Sequence, residues 1–335
     1  MNRYDSIREH SKRSGEYRWW DDGQYVDLDK LDLQSPADLQ ELRGKIETKF
    51  DAVRSHLHYR MDQSNETDLS YQDSHHAYRL RLRHGYMIEN EERTPVENSI
   101  EDRKQHWVTF VFGYRNSDYL FGPRGKFYGD YHMSLGSADG MKKFDLTLEQ
   151  VELMLILARI VGPRFEGFQN RVADSQDHYH VQYLHRVTTI WDAALQNFPA
   201  TAELLEGRDL EKLAVEVMRM WAQIRPNGIE VDLLFRSIGT DGEQIILLPR
   251  ERPLEEDSPK KRPSVAALLD ETFEANSGDH MGDFGVLEMA GYLGTLRSVR
   301  AFEFVARKDN RDRYARAIHE VTYPRTRWER SMGKW

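Results

Sequence analysis

The segment from Thr147 to Val161 constrains the fold most, because its pattern predicts a helix that must be covered on every side. Thr147 followed three residues later by Gln150 is the capping-box pattern that starts a helix. From Val151 to Val161 the residues are apolar on nearly all helical faces, which is typical of a buried helix. Gly162, followed by a proline, ends it.

The patterns on both sides of this helix are mostly those of β-strands. Strands are predicted before it at 77–82, 107–112 and 131–135, and after it at 165–169 and 179–185. Farther along, the sequence predicts a helix at 210–224 and a hairpin of strands 229–238 and 244–248 around the turn signal Thr240-Asp241-Gly242. This order of elements predicts an α+β fold with antiparallel sheets and packed helices.

The N-terminal part is different in character. Residues 1–34 are polar and interrupted, so we expect them to wrap over the surface. From Ser35 to Leu57 the apolar residues recur every three or four positions, which predicts an amphipathic helix. The sequence also predicts an exposed loop at 89–103 and helices at 265–273 and 311–323.

Composition excludes several classes of protein. The 335 residues, 39% of them hydrophobic, suffice for a sizeable core. Asp and Glu outnumber Lys and Arg, 56 to 47, and no basic stripe is present, so polymeric nucleic acid is not an expected partner. The absence of cysteine excludes disulfides, thiolate zinc sites and cysteine nucleophiles. Without a signal-like or membrane-spanning apolar run, we expect a cytoplasmic protein with no membrane partner.

The chemistry of the chain is concentrated in His178-Tyr179-His180-Val181-Gln182. On a strand, side chains alternate between faces, so His178, His180 and Gln182 share one face. Same-face neighbours lie roughly 6.6 to 7 Å apart, which suits contacts with different oxygens of one phosphate chain. A neutral imidazole can attack phosphorus near neutral pH, because its ordinary pKa is about 6.5. An amide can donate to a phosphoryl oxygen.

Two other interpretations of the motif stay open at this point. A His-x-His pair on a strand can serve packing alone. The pair can also bind a metal, with His132 or a carboxylate as a further ligand, because His185 falls on the opposite face of a regular strand. We predict no metal site.

Asn170, Ser175 and the motif His178 to Gln182 resemble the active-site signature of the histidine-triad superfamily, specifically its transferase branch. That branch includes galactose-1-phosphate uridylyltransferase, diadenosine tetraphosphate phosphorylase and GDP-L-galactose phosphorylase, and has His-x-His-x-Gln where the hydrolase branch ends in His. The similarity covers roughly residues 105 to 305 and includes Tyr131 to Leu135 and Leu287 to Leu293. The first hundred or so residues are not part of it.

The resemblance implies two histidine-triad-like halves in one chain. The first, 105–200, carries the motif, and the second is 201–305. A helical N-terminal extension, 1–104, precedes them, and a C-terminal helix with a basic tail, 306–335, follows.

The resemblance also implies a role for each residue of the signature. His180 would be the nucleophile that takes the nucleotidyl group. His178 would shape the site and hold the imidazole of His180 through its backbone carbonyl. Gln182 would bind the phosphoryl oxygens, as an oxyanion-hole donor does. Asn170 and Ser175 would contact phosphate or ribose.

Four further residues are candidates for binding phosphate. His132 could reach the phosphates from a neighbouring strand, or be an interior hydrogen-bonded histidine. Arg124 and Lys126 lie in a glycine-bearing loop that could cradle a phosphate, although loop cations are usually just solvated. Asp177 could orient a group in the site or cap a turn.

The implied reaction is ping-pong nucleotidyl transfer. The donor would be a nucleotide sugar or a dinucleoside polyphosphate, and the acceptor inorganic phosphate or a sugar phosphate. A nucleotide hydrolase and a non-catalytic, nucleotide-binding regulatory protein are the alternatives. No cofactor is expected to be required, although Mg²⁺ could accompany the nucleotide, and a homodimer is left open.

Overall fold

The computed structural model describes residues 2–13, 15, 17–56, 66–72, 77–83, 106–124, 131–141, 146–170, 179–251, 286–293, 318 and 322–334. Its α-helices are α1 (Arg3–His10), α2 (Pro36–His56), α3 (Leu148–Val161), α4 (Leu210–Ile224), α5 (Val286–Met289) and α6 (Arg325–Ser331). Its strands are β1 (Tyr17–Asp27), β2 (Glu66–Gln72), β3 (Ala77–Arg83), β4 (His106–Tyr114), β5 (Ser117–Pro123), β6 (Met133–Ser137), β7 (Phe165–Gln169), β8 (His180–His185), β9 (Glu203–Gly207), β10 (Ile229–Ser237), β11 (Glu243–Glu251) and β12 (Tyr292–Leu293). They form the α+β fold that the sequence predicts.

Nine of the described strands form one mixed sheet in the order β1-β4-β5-β6-β8-β7-β10-β11-β9, and β12, β3 and β2 form a smaller sheet. Neighbours in the large sheet are antiparallel, except that β1 and β4 are parallel. β8, which carries the motif, lies between β6 and β7. The division into two halves near residue 200 stays a prediction, and strands from both sides of that position share the large sheet.

The helices α2, α3 and α4 pack on one side of the large sheet, which we call the helix face. The core there includes Phe121, Leu135, Val181 and Phe235. The predicted burial of α3 is confirmed along almost its whole length, and the helix begins with the complete capping box. Among the described helices, none has the length and apolar character needed to cross a lipid bilayer.

Several other local predictions are confirmed. α2 and α4 occupy the predicted segments, and β10 and β11 form the predicted hairpin. The strand predicted at 131–135 is displaced, because β6 begins only at Met133. Tyr131 has a φ of 53°, a left-handed conformation that strands do not adopt. The predicted loop at 89–103 and helix at 265–273 lie outside the described residues, as does the helix at 311–323 apart from positions 318, 322 and 323.

The prediction that residues 1–34 wrap over the surface is wrong for Tyr17–Asp27, which form β1 and extend the large sheet. The register of β1 against β4 shifts between Trp19 and Gln24. This irregularity makes the strand hard to recognise from the sequence, because buried and exposed residues do not alternate continuously across it. The N-terminal extension therefore contains strands as well as the predicted helix.

Replacing Gly167 with alanine tests the packing of the helix face. A Cβ on Gly167 would lie 2.1 Å from Cε2 of the buried Phe235 ring. We expect overpacking to lower the free energy of unfolding by about 1 to 3 kcal/mol. Gly207→Ala on β9 is the matched control, because nothing lies within 4 Å of a Cβ there. Urea denaturation measures both variants, and equal midpoints would contradict the close contact.

Candidate active site

β8 carries two polar side chains of the motif on the side of the sheet opposite the helix face, which we call the site face. His180 and Gln182 are only 2% and 4% exposed. Between and beside them, Val181 and Tyr183 belong to the core of the helix face. Burial raises the pKa of Tyr183 well above its usual range, so this hydroxyl stays neutral and donates to the carbonyl oxygen of Met154 at 3.3 Å. The predicted alternation holds from His180 onward.

The side-chain oxygen of Gln182 accepts two hydrogen bonds. One comes from Nη1 of Arg124 and the other from Nε2 of His132, at 2.7 Å. A guanidinium has only donors, so the oxygen of the carboxamide, and not its nitrogen, must face Arg124. An amide oxygen only accepts, so His132 must carry a proton on Nε2.

This anchoring turns the amide nitrogen of Gln182 toward His180. Nε2 of Gln182 lies 3.5 Å from Nε2 of His180, at the long limit of a hydrogen bond. Because an amide nitrogen only donates, the contact favours a lone pair on Nε2 of His180. The lone pair on Nε2 of His180 thus faces a fixed hydrogen-bond donor.

His106 joins this group through an irregularity in β4. Phe110 pairs with Phe121, whereas His106 pairs with Arg124, so four residue steps on β4 oppose three on β5. The extra residue is a β-bulge, which re-aims the side chains that precede it. Nη2 of Arg124 lies 3.2 Å from Nε2 of His106. Because the guanidinium can only donate, this nitrogen of His106 is an acceptor.

We call His106, Arg124, His132, His180 and Gln182 the polar cluster. Arg124 is its permanent cation. Such a group favours an anionic ligand. Elsewhere in the described ranges, as in the cluster itself, no group of three or more His, Asp or Glu side chains is arranged to hold a metal ion.

Ser134 and Phe168 flank Gln182 as its partners on β6 and β7. The Phe168 ring stacks beside His132, with centroids 6.4 Å apart. The hydroxyl of Ser134 is buried and has no hydrogen-bond partner in the described part of the chain. Buried polar groups are normally paired, so a ligand oxygen beside Gln182 would satisfy this hydroxyl.

The structure brings together four of the predicted site residues, namely His180, Gln182, His132 and Arg124. Asn170 is half-buried and directly follows β7. Phe168 is the last residue of β7 that pairs with β8, through Gln182, and Asn170 lies two residues beyond it. The remaining predicted residues, His178, Ser175, Asp177 and Lys126, lie outside the described residues.

Sequence reasoning missed His106 and Ser134 as site residues. Nothing in the sequence marks the bulge in β4, so the face of His106 could not be read from alternation. Ser134 could have been found, because it lies two residues after His132 and therefore on the same face.

A cavity of about 760 Å³ lies elsewhere, between α2 and the turn that joins β10 to β11. No residue of the polar cluster lines it. Two of its cations are already engaged, since Arg43 donates to the carbonyl oxygen of Ile160 at 2.9 Å and Arg159 to Glu243 at 2.8 Å. We do not assign it to the site.

The fold is similar to solved structures of yeast Ap4A phosphorylase Apa2. For Apa2 alone the TM-score is 0.55 at 12% identity, with 84% of this chain and 97% of that chain covered. For its complex with Ap4A the values are 0.58, 12%, 85% and 98%, and for its complex with AMP 0.55, 13%, 84% and 96%. No model of a known protein family matches the sequence, and no curated protein matches it. The likeness is one of fold, and this chain shares the fold of the yeast phosphorylase over most of its length.

Proposed function

We propose that this chain is a nucleotidyl-transferring phosphorylase that cleaves a dinucleoside polyphosphate through a covalent nucleotidyl-histidine on His180. The observation that carries the proposal is the amide of Gln182, fixed by Arg124 and His132 and directed at Nε2 of His180. The fold of a phosphorylase that has been solved with Ap4A and with AMP supports the choice of donor. A nucleotide sugar is the second donor class, which the resemblance of the motif implies.

In the first half-reaction, Nε2 of His180 attacks the α-phosphorus of the donor. The N–P bond forms while the P–O bond to the leaving group breaks, and the leaving oxygen keeps that electron pair. The amide hydrogens of Gln182 stabilise the charge that builds on a non-bridging oxygen. Arg124 supplies the positive charge that attracts the phosphate chain.

In the second half-reaction, an oxygen of inorganic phosphate or of a sugar phosphate attacks the same phosphorus. The N–P bond breaks, and its electron pair returns to His180. Two successive displacements retain the configuration at phosphorus. Gln182 acts in both steps, because the charge on the non-bridging oxygens builds up twice.

The remaining residues of the signature complete the proposal by resemblance. His178 holds the imidazole of His180 through its backbone carbonyl, and Ser175 and Asn170 contact phosphate or ribose. Asp177 and Lys126 are further candidates for binding the nucleotide. The chemistry needs no protein-bound metal, and Mg²⁺ enters with the nucleotide.

Trapping the intermediate tests the mechanism directly. Protein mixed with Ap4A or a nucleotide sugar, without acceptor, should gain the mass of one nucleotidyl group. The adduct should be stable in base and labile in acid, because it is a phosphoramidate. Intact-protein mass spectrometry should find no adduct on His180→Ala and a normal adduct on His185→Ala, a matched control on the same strand but outside the polar cluster.

The alternatives give other results in this experiment. Full turnover by His180→Ala, or inversion at the α-phosphorus, would mean direct in-line transfer. An adduct lost to water as fast without phosphate as with it would identify a hydrolase. Tight nucleotide binding with no adduct and no turnover would identify a regulatory protein.

Gln182→Glu separates the two ends of the carboxamide. The substitution keeps oxygens that can accept from Arg124 and His132, but it removes the donor that faces His180. We expect both half-reactions to slow by roughly 10² to 10³, the usual loss for one oxyanion-hole donor. Rapid-quench kinetics measure each half-reaction, and labelling at the wild-type rate would contradict the role of the amide.

Chelation separates the proposed mechanism from the metal-binding interpretation of the motif. Activity should survive exhaustive removal of zinc, because the nucleophile is a free imidazole, and added Mg²⁺ should raise the rate by neutralising phosphate charge. Elemental analysis of the purified protein accompanies the assay. Stoichiometric zinc, lost from a variant without His178 and His180, would favour the metal site.

A further inference from the structure

The hydroxyl group of Tyr17 occupies the space that a side chain at Gly136 would fill. A Cβ on Gly136 would lie 2.1 Å from Oη and 3.3 Å from Cζ of Tyr17. Gly136 is the partner of His180 in the pairing of β6 with β8. The hydroxyl of Tyr17, on β1, therefore lies beside the position that pairs with His180, the proposed nucleophile.

The geometry puts this hydroxyl on the site face. Gly136 lies two residues after Ser134 on β6, so the two residues share one face of the sheet. Their partners on β8 are His180 and Gln182, which lie on that same face. Residues directly opposite in an antiparallel pair have Cβ atoms about 4.5 to 5.5 Å apart. The hydroxyl that replaces a Cβ at Gly136 is thus close to the base of the His180 imidazole. Tyr17 is 7% exposed, and its ring lies 5.6 Å from that of His106.

We infer that Tyr17 is a positioning residue for His180, and that β1 is therefore part of the active site. The inference rests on the proposed function of His180. A phenol hydroxyl both donates and accepts hydrogen bonds, so it can restrain an imidazole in either neutral tautomer. Held in this way, the ring keeps Nε2 toward Gln182 and the donor phosphorus.

The same strand provides a matched control. A Cβ on Gly113 would lie 2.0 Å from Oη of Tyr25, so this tyrosine covers a glycine in the same manner. Gly113 lies on β4, where it pairs with Asp118, and two strands, β5 and β6, separate β4 from β8. Tyr25→Phe removes an equivalent hydroxyl from β1 without touching the polar cluster.

A double substitution tests the contact itself. Gly136→Ala should destabilise the protein, because the new methyl group collides with the hydroxyl of Tyr17. Tyr17→Phe removes the colliding atom, so the Tyr17→Phe, Gly136→Ala protein should regain much of the lost thermal stability. Stability that is no better in the double variant than in Gly136→Ala alone would contradict the contact.

The functional test compares Tyr17→Phe with Tyr25→Phe. If the hydroxyl restrains the imidazole with the strength of one hydrogen bond, its loss should slow adduct formation on His180 about fivefold to tenfold, with an unchanged KM for Ap4A. Isotopically labelled histidine gives an independent readout without any donor, with the His180 signal assigned from His180→Gln. Tyr17→Phe should shift that signal, and Tyr25→Phe should leave both rate and signal as in wild type.

The two proposals can fail separately. If Tyr17→Phe shifts the His180 signal but the wild-type protein takes no nucleotidyl group from any donor, the proposed function is wrong and the positioning contact is still supported. An active protein in which Tyr17→Phe behaves like Tyr25→Phe in rate or in signal overturns the positioning role. A slower rate with an unshifted signal belongs to that second case, because the hydroxyl would then act on the donor and not on His180.

Discussion

The antiparallel pairing of β8 with β6 on one side and β7 on the other is the constraint on which the site depends. It buries Val181 and Tyr183 against the helices. A shift of the strand register by one residue would move these side chains to the opposite face and lose the free energy gained by burying them. The apolar core therefore fixes where His180 and Gln182 lie. The polar side chains need no strong interactions of their own to hold that position.

What the polar cluster adds is orientation. A carboxamide has two ends of nearly equal size and opposite hydrogen-bonding character. Arg124 and His132 select one of the two rotamers by donating to the oxygen of Gln182. In a buried site this selection is strong, because the reverse rotamer would set donor against donor with no water to relieve it. The site is thus organised before any ligand binds.

Local patterns in the sequence were enough to predict α3, the hairpin of β10 and β11, and the two faces of β8. Each of these depends on periodicity within one short segment. β1 could not be predicted, because it arises from pairing between segments about ninety residues apart. The register shift in β1 and the bulge in β4 also interrupt the alternation that marks a strand. His106 and Tyr17 were missed for that reason, whereas His132 and Arg124 were found by residue type and by resemblance.

The parallel pairing of β1 with β4 also matters for solubility. β4 is almost entirely buried along its length, and without β1 its outer edge would present a row of free N–H and C=O groups between apolar side chains. Such an edge is a template for pairing with another chain. The first thirty or so residues therefore cover this edge, and we expect a chain shortened at its N-terminus to be prone to self-association.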